Sequence, residues 1–243
     1  MTNVLNVTTI DVDGDVVVQG QDISLNHGAV VQLRNGRLDN FWYYTDQAGS
    51  ASRCRGIGYR LKLDDKADKH AKAMKRLAWV EQWLDSVALA SNPDYVGVED
   101  YALHEGQGAH QLGEVGGVAR LLLWKRGTHF RLHDPVSVKM FATFNGTSPK
   151  DAIEAAVADR WGWDFGAYNG PSTGKKPSRR TSEDLADAYA IAVLVWTEVL
   201  LRHGIIQLHQ LHPKEVQVFN RVTATYPTSL LSRDWIHNEE ASV

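Results

Sequence analysis

Hydrophobic residues in the first part of the chain come in short runs separated by turn-forming residues, without helical spacing. The run Val16-Val17-Val18-Gln19-Gly20-Gln21-Asp22-Ile23 predicts a strand, and Asn26-His27-Gly28 follows it. Ala29-Val30-Val31-Gln32-Leu33 predicts a second strand. Asn35-Gly36, two residues that tolerate positive φ, predicts a hairpin into a third, aromatic-rich strand from Leu38 to Tyr44. The chain is thus expected to open with three antiparallel strands and to carry Asp22 at the end of the first.

Further along, the period changes. Gly49 to Gly58 reads as a loop. From Asp64 to about Ala90, apolar residues recur at Ala67, Ala71, Met74, Leu77, Ala78, Leu84, Val87 and Ala88, which predicts a helix that Asn92-Pro93 ends. Tyr95-Val96-Gly97-Val98-Glu99 predicts a short strand, Gly106 to Trp124 a helix, Phe130 to Val138 a strand, and Pro149 to about Trp161 a helix. Gly162 to Arg180 is the clearest irregular segment. Thr181 or Ser182 is then expected to cap a strongly apolar helix that Gly204 ends as a C′ residue. Periodicity from Ile205 to Val243 is weak. Antiparallel strands followed by alternating helices and strands predict a mixed α/β sheet with helices on its faces. The expected organisation is one domain over residues 1–204, with its core at about 16–201 and a basic loop at 162–180, followed by a C-terminal extension, 205–243.

Composition narrows the picture modestly. With 243 residues, 43% hydrophobic and 23% charged, the chain resembles an ordinary globular protein that can bury a real core. No apolar stretch reaches membrane-span length and the N-terminus lacks a secretory pattern, so an intracellular, cytoplasmic location is expected. Cys54 is the single cysteine, which excludes an internal disulfide or a cysteine-built zinc site. The formal charge of −3 argues against indiscriminate nucleic-acid binding but permits local basic patches. Two stand out: Arg53 to Arg76, and Lys175-Lys176-Pro177-Ser178-Arg179-Arg180. Either also fits a solvated face.

Four carboxylates carry the candidate chemistry. Asp22 and Glu99 each close a strand, while Asp184 and Asp187 lie three apart at the front of the last long helix, on one face of it. Strand ends meeting a helix front gather acids that are distant in sequence, and such oxygen donors suit Mg²⁺ or Mn²⁺. Plainer explanations exist: the helix dipole favours Asp184, and Asp22 fits a turn. Asp187, set among Leu185, Ala186, Ala188 and Tyr189, is harder to excuse, because burying an unpaired carboxylate is costly.

In order and type these motifs resemble the RuvC family of Holliday junction resolvases, ribonuclease H-like endonucleases that cut four-way DNA junctions. Asp22-Ile23-Ser24-Leu25-Asn26-His27-Gly28 resembles the family's first motif and Glu99 its strand-end Glu. His110 to Ala119 resembles its glycine-bearing helix, and Asp184-Leu185-Ala186-Asp187-Ala188 its closing motif. The resemblance covers about Val16 to Leu201. It implies a ribonuclease H-like fold and a site in which Asp22, Glu99, Asp184 and Asp187 bind two Mg²⁺, with Mn²⁺ able to substitute. Lys139 and Lys150 match the family's pair of basic residues, with Lys139 near the scissile phosphate. It further implies a C₂ homodimer acting on branched DNA, with the Gly106 to Trp124 and Lys66 to Trp83 regions as dimer-surface candidates.

Departures are equally specific. The hairpin between Asp22 and Gly28 is tighter than the family's. Ala102 stands where an aromatic is usual, with Tyr101 one residue earlier as a DNA-contact candidate. Both ends are extended, and a viral origin, with action in a host cytoplasm, stays open. Trp161, Trp163, Phe165 and Tyr168, ahead of Lys175, Lys176, Arg179 and Arg180, suit either a DNA-stacking loop or aromatics tucked onto the domain. His27 is a candidate extra ligand or phosphate contact, or plain polar surface. Two further functions fit the same residues: a nuclease for flaps, forks or RNA–DNA hybrids, and a non-catalytic branched-DNA binder.

Overall fold

β1 (Val17–Ile23), β2 (His27–Arg34) and β3 (Arg37–Thr45) form the expected antiparallel meander in a computed structural model that describes residues 4–46, 57–61, 68–100, 109–149, 151–166 and 179–225. Asn35 and Gly36 make the β2–β3 turn at φ 48° and 75°, and the Asn35 side chain accepts from the Val16 amide at 2.8 Å. β4 (Ile57–Arg60) pairs parallel with β3, β5 (Tyr95–Glu99) parallel with β1, and β6 (His129–His133) parallel with β5. The sheet order is β4-β3-β2-β1-β5-β6. A meander whose first strand lies centrally and is continued by parallel strands is the ribonuclease H-like arrangement, so the fold is of that class.

Helices cover both faces, as parallel strands require. On one face lie α1 (Lys69–Trp83), which runs on into a π-helical turn over Leu84–Ala88, and α2 (Ala109–Arg126). Val80, Trp83, Leu84, Val115, Ala119 and Leu123 bury the α1 and α2 faces against Val30, Trp42, Tyr44, Val96 and Val98. On the other face α5 (Arg179–Arg202) lies across β1, β2 and β5. Beyond it are α3 (Pro135–Thr143), α4 (Asp151–Trp161) and α6 (Pro213–Thr225). From Leu185 to Trp196, Asp187 is the one α5 residue that is not fully buried. No helix among the described residues is long and apolar enough to cross a membrane.

Several sequence expectations need correction. The strand expected over Phe130 to Val138 ends at His133, because Asp134 caps α3 through the Ser137 amide (3.0 Å) and Pro135 takes the first helical position. Part of the Gly49 to Gly58 loop is β4. The first helix starts at Lys69, where Asp68 accepts from the His70 and Ala71 amides, not at Asp64. Thr181 and Ser182 are buried inside α5 and do not cap it. Gly204, at φ 66°, does follow α5 as the C′ residue. The weakly periodic tail contains α6, which Arg160 ties to α3: its guanidinium reaches the carbonyls of Phe141 (2.5 Å) and Ala142 (2.9 Å) and Glu215 (2.6 Å).

Candidate active site

Two register pairs locate the strand-end acids. Gly20 lies beside Gly97 and Gln21 beside Val98, so Asp22 and Glu99 follow next along adjacent strands, about 4.8 Å apart in backbone spacing. Glu99 in turn pairs with His133 of β6. Glycine contacts reveal which face these side chains take. A Cβ on Gly20 would lie 2.0 Å from the Ala188 carbonyl oxygen and 2.4 Å from the Ala192 nitrogen. On Gly97 it would lie 2.6 Å from Ile191 Cγ2 and 2.5 Å from Val195 Cγ2. Both glycines therefore face α5, and their lack of side chains is what lets the helix approach so closely. Residues two further on share that face, so Asp22 and Glu99 project toward α5 as well.

The helix supplies the remaining two acids. Ala188, Ile191, Ala192 and Val195 are its sheet-facing residues; Asp184 lies one turn before Ala188 and Asp187 one turn before Ile191. The sheet-facing stripe thus turns acidic where α5 passes the carboxyl ends of β1 and β5. Asp184 is 7% exposed, and the other three are half-buried. Nδ1 of His27, the first residue of β2, lies 2.6 Å from Asp184 Oδ2. The negative charges of Asp22 and Asp184 add to burial in pushing the Tyr44 hydroxyl well above its ordinary range, against an opposing effect of Arg76. That hydroxyl donates to the Ser24 carbonyl and braces the β1–β2 turn.

All four acids offer oxygen donors of the kind hard divalent cations take, so the donor set fits Mg²⁺ or Mn²⁺ in kind. Their oxygens do not converge on one point: among the described residues no three His, Cys, Asp or Glu side chains are gathered as a single ion shell. Like charges at one corner repel, and a divalent cation supplies the charge that would draw them together.

Near the acids is a buried polar group. Arg131 pairs with Glu198 at 2.9 Å, both buried, and His133 is fully buried with neither ring nitrogen hydrogen-bonded. Burial pushes Glu198 up to about 7 despite Arg131. Burial and the Arg131 charge push His133 down to about 3.

The basic candidates fare unevenly. Lys139 stands on α3, which begins where β6 ends at this same edge of the sheet; it is half-buried and takes part in no ion pair among the described residues. Arg179 and Arg180 begin α5. Tyr101, Lys150, Lys175 and Lys176 lie outside the described residues, as does Ala102. Trp161 and Phe165 are core residues that pack against Tyr189 and Phe41, which removes them as DNA-stacking candidates. Tyr44, His133 and the His27 contact escaped sequence reasoning; the one available signal was a histidine in a hairpin. A cavity of about 420 Å³, lined by Asn92, Asp94, Arg126 and His129, lies at the opposite, amino ends of β5 and β6 and has no part in this chemistry.

No protein-family model matches the chain, and neither does any curated protein. Among solved structures it is similar to Thermus thermophilus RuvC, at 20% identity and a TM-score of 0.48, over 78% of this chain and 97% of that one. It is also similar to T. thermophilus RuvC in complex with Holliday junction substrate, at 18% identity and a TM-score of 0.49, over 78% and 96%.

Proposed function

We propose that this protein is a metal-dependent endonuclease that resolves four-way DNA junctions by paired phosphodiester hydrolysis. One observation carries this: two acids at the ends of β1 and β5 and two acids on α5 lie toward a single face of a ribonuclease H-like sheet. The choice of junctions over other branched or hybrid substrates rests on the order of the sequence motifs.

Asp22, Glu99, Asp184 and Asp187 would together hold two Mg²⁺ ions. Such a pair supplies an activated water and charge stabilisation on the attacking and leaving oxygens. The chain's own contribution is to fix four carboxylates on rigid elements and to exclude water beneath them with the Ala188–Val195 stripe. From α3, Lys139 would contact the scissile phosphate. A two-fold symmetric junction needs two opposed cuts, so the working unit would be a C₂ homodimer.

The test is cleavage of a labelled four-way junction, with linear duplex as competitor, in Mg²⁺ and in EDTA, beside Asp22→Asn. Paired symmetric nicks should vanish on chelation. They should fall about a thousandfold in the variant, the equivalent of roughly 4 kcal/mol of lost transition-state stabilisation, while junction binding persists. Equal cutting of flaps or hybrids would move the substrate. A junction bound but never cut in Mg²⁺ or Mn²⁺ would leave a branched-DNA binder.

A further inference from the structure

We infer that His27 is a positioning residue of the carboxylate site, holding Asp184 in the orientation from which it meets a divalent cation. This rests on the metal-dependent function proposed above and deepens it. Asp184 is the most buried of the four acids, and a buried carboxylate must find donors. An ionised carboxylate only accepts, so the 2.6 Å contact is a hydrogen bond donated by His27 Nδ1 to Oδ2. One carboxylate oxygen is taken in this bond and the other is left for a cation. The relation is the mirror of the carboxylate that orients a metal-bound histidine from behind.

The imidazole is delivered by rigid backbone. Ala29 is the cross-strand partner of Asp22, and His27, two residues earlier on β2, shares the Ala29 face and stands one step nearer the sheet end. Its carbonyl accepts from the Ser24 amide at 3.1 Å and the Ser24 hydroxyl at 2.6 Å, and it pairs with Thr45 on β3. The Asp46 amide holds the adjacent Asn26 carbonyl at 2.8 Å. Gly28 completes the device: a Cβ there would lie 2.7 Å from the Tyr44 ring, whose hydroxyl holds the Ser24 carbonyl. The tight turn after Asp22 thus places a histidine against an acid 157 residues away. Asp184 and Asp187 become unequal partners, one locked from behind and the other half-exposed.

The experiment is calorimetric Mn²⁺ titration of the metal-free full chain without DNA, for wild type and for His27→Ala, His27→Asn and His27→Gln. Circular dichroism checks the fold of each. The Asn amide nitrogen reaches the position of Nδ1, whereas Gln carries its amide one methylene further. His27→Ala should weaken Mn²⁺ binding by about ten- to a hundredfold, Asn should recover most of that loss, and Gln should not. Wild-type affinity in the Ala variant would overturn the inference and leave the metal site standing. Equal loss in Ala and Asn would also overturn it, because the imidazole would then be a ligand itself or only a support for the turn. Wild type that binds no Mn²⁺ would remove the metal-dependent reading, and this inference with it.

Discussion

A methyl group at position 20 would meet α5 backbone on two sides, at 2.0 Å from a carbonyl oxygen and 2.4 Å from an amide nitrogen, and neither atom can rotate away. Gly20→Ala should therefore force β1 and α5 apart, with a loss of about 3 kcal/mol or more in urea unfolding, at the upper end of overpacking effects. Because Asp22 is two residues further on and Asp184 one turn before Ala188, the same variant should weaken Mn²⁺ binding even where it stays folded. Unchanged stability would show that the strand–helix contact is looser than described. At this scale the sequence was informative about identity and silent about neighbours. Asp22 and Glu99 lie at strand ends as the pattern placed them, whereas Asp184 and Asp187 sit more than a turn inside α5, because that helix begins at Arg179, ahead of the expected cap. Gly20 was visible only as an interruption, and the reach of His27 was not visible at all, since no local pattern encodes a contact between β2 and α5.

Among the elements, those with long periodic runs were legible and the short or partner-dependent ones were not. The meander, β5, α1, α2, α4 and α5 were all expected, with errors at their ends. α3 was missed because Phe130 to Val138 alternates apolar with polar residues much as a strand does, and only the Asp134-Pro135 cap divides strand from helix there. β4 has four residues, and its pairing with β3 is what makes it a strand. α6 is amphipathic but takes its stability from α3 and Arg160, so propensity alone said little. α2 has a different peculiarity. Its outer face exposes Leu121 by 52% and Trp124 by 67%, three residues apart and therefore adjacent. If α2 forms the two-fold contact of the proposed homodimer, Trp124→Glu should convert dimer to monomer in sedimentation experiments while leaving the melting temperature of the monomer nearly unchanged. A wild-type chain that sediments as a monomer at tens of micromolar would exclude that use of the face.

For the molecule as a whole, the buried group near the site sets a pH dependence with opposing parts. Unfolded, a glutamate gives up its proton near 4.5 and a histidine near 6.5, whereas in the fold Glu198 keeps its proton to about 7 and His133 takes none until about 3. Between about pH 4.5 and 6.5 each state holds one proton on this pair, the folded chain on Glu198 and the unfolded chain on histidine, so the pair contributes no slope. Below about 4.5 the unfolded chain holds two and the folded chain one, and stability falls by about 1.4 kcal/mol per pH unit toward pH 3. As pH rises from about 6.5 through 7, the folded chain alone still holds the Glu198 proton, and stability falls in that direction too. His133→Phe should remove the acid limb, so that the gap between variant and wild type in urea unfolding widens on the variant's side from pH 6.5 down to pH 3. A constant gap across that range would mean that His133 titrates normally.

The four acids occupy positions 22, 99, 184 and 187, and the helix bearing the last two packs directly on the strand bearing the first. A ribosome makes the meander and β5 early, yet it must finish α5 before β1 acquires the two acids of that helix. Pairings that span so much of the chain are also the slowest to close. A half-made chain can hold a folded hairpin and still lack half of its acids. The same long-range closure that slows folding keeps the proposed four-acid centre from existing on any nascent fragment that stops short of residue 184.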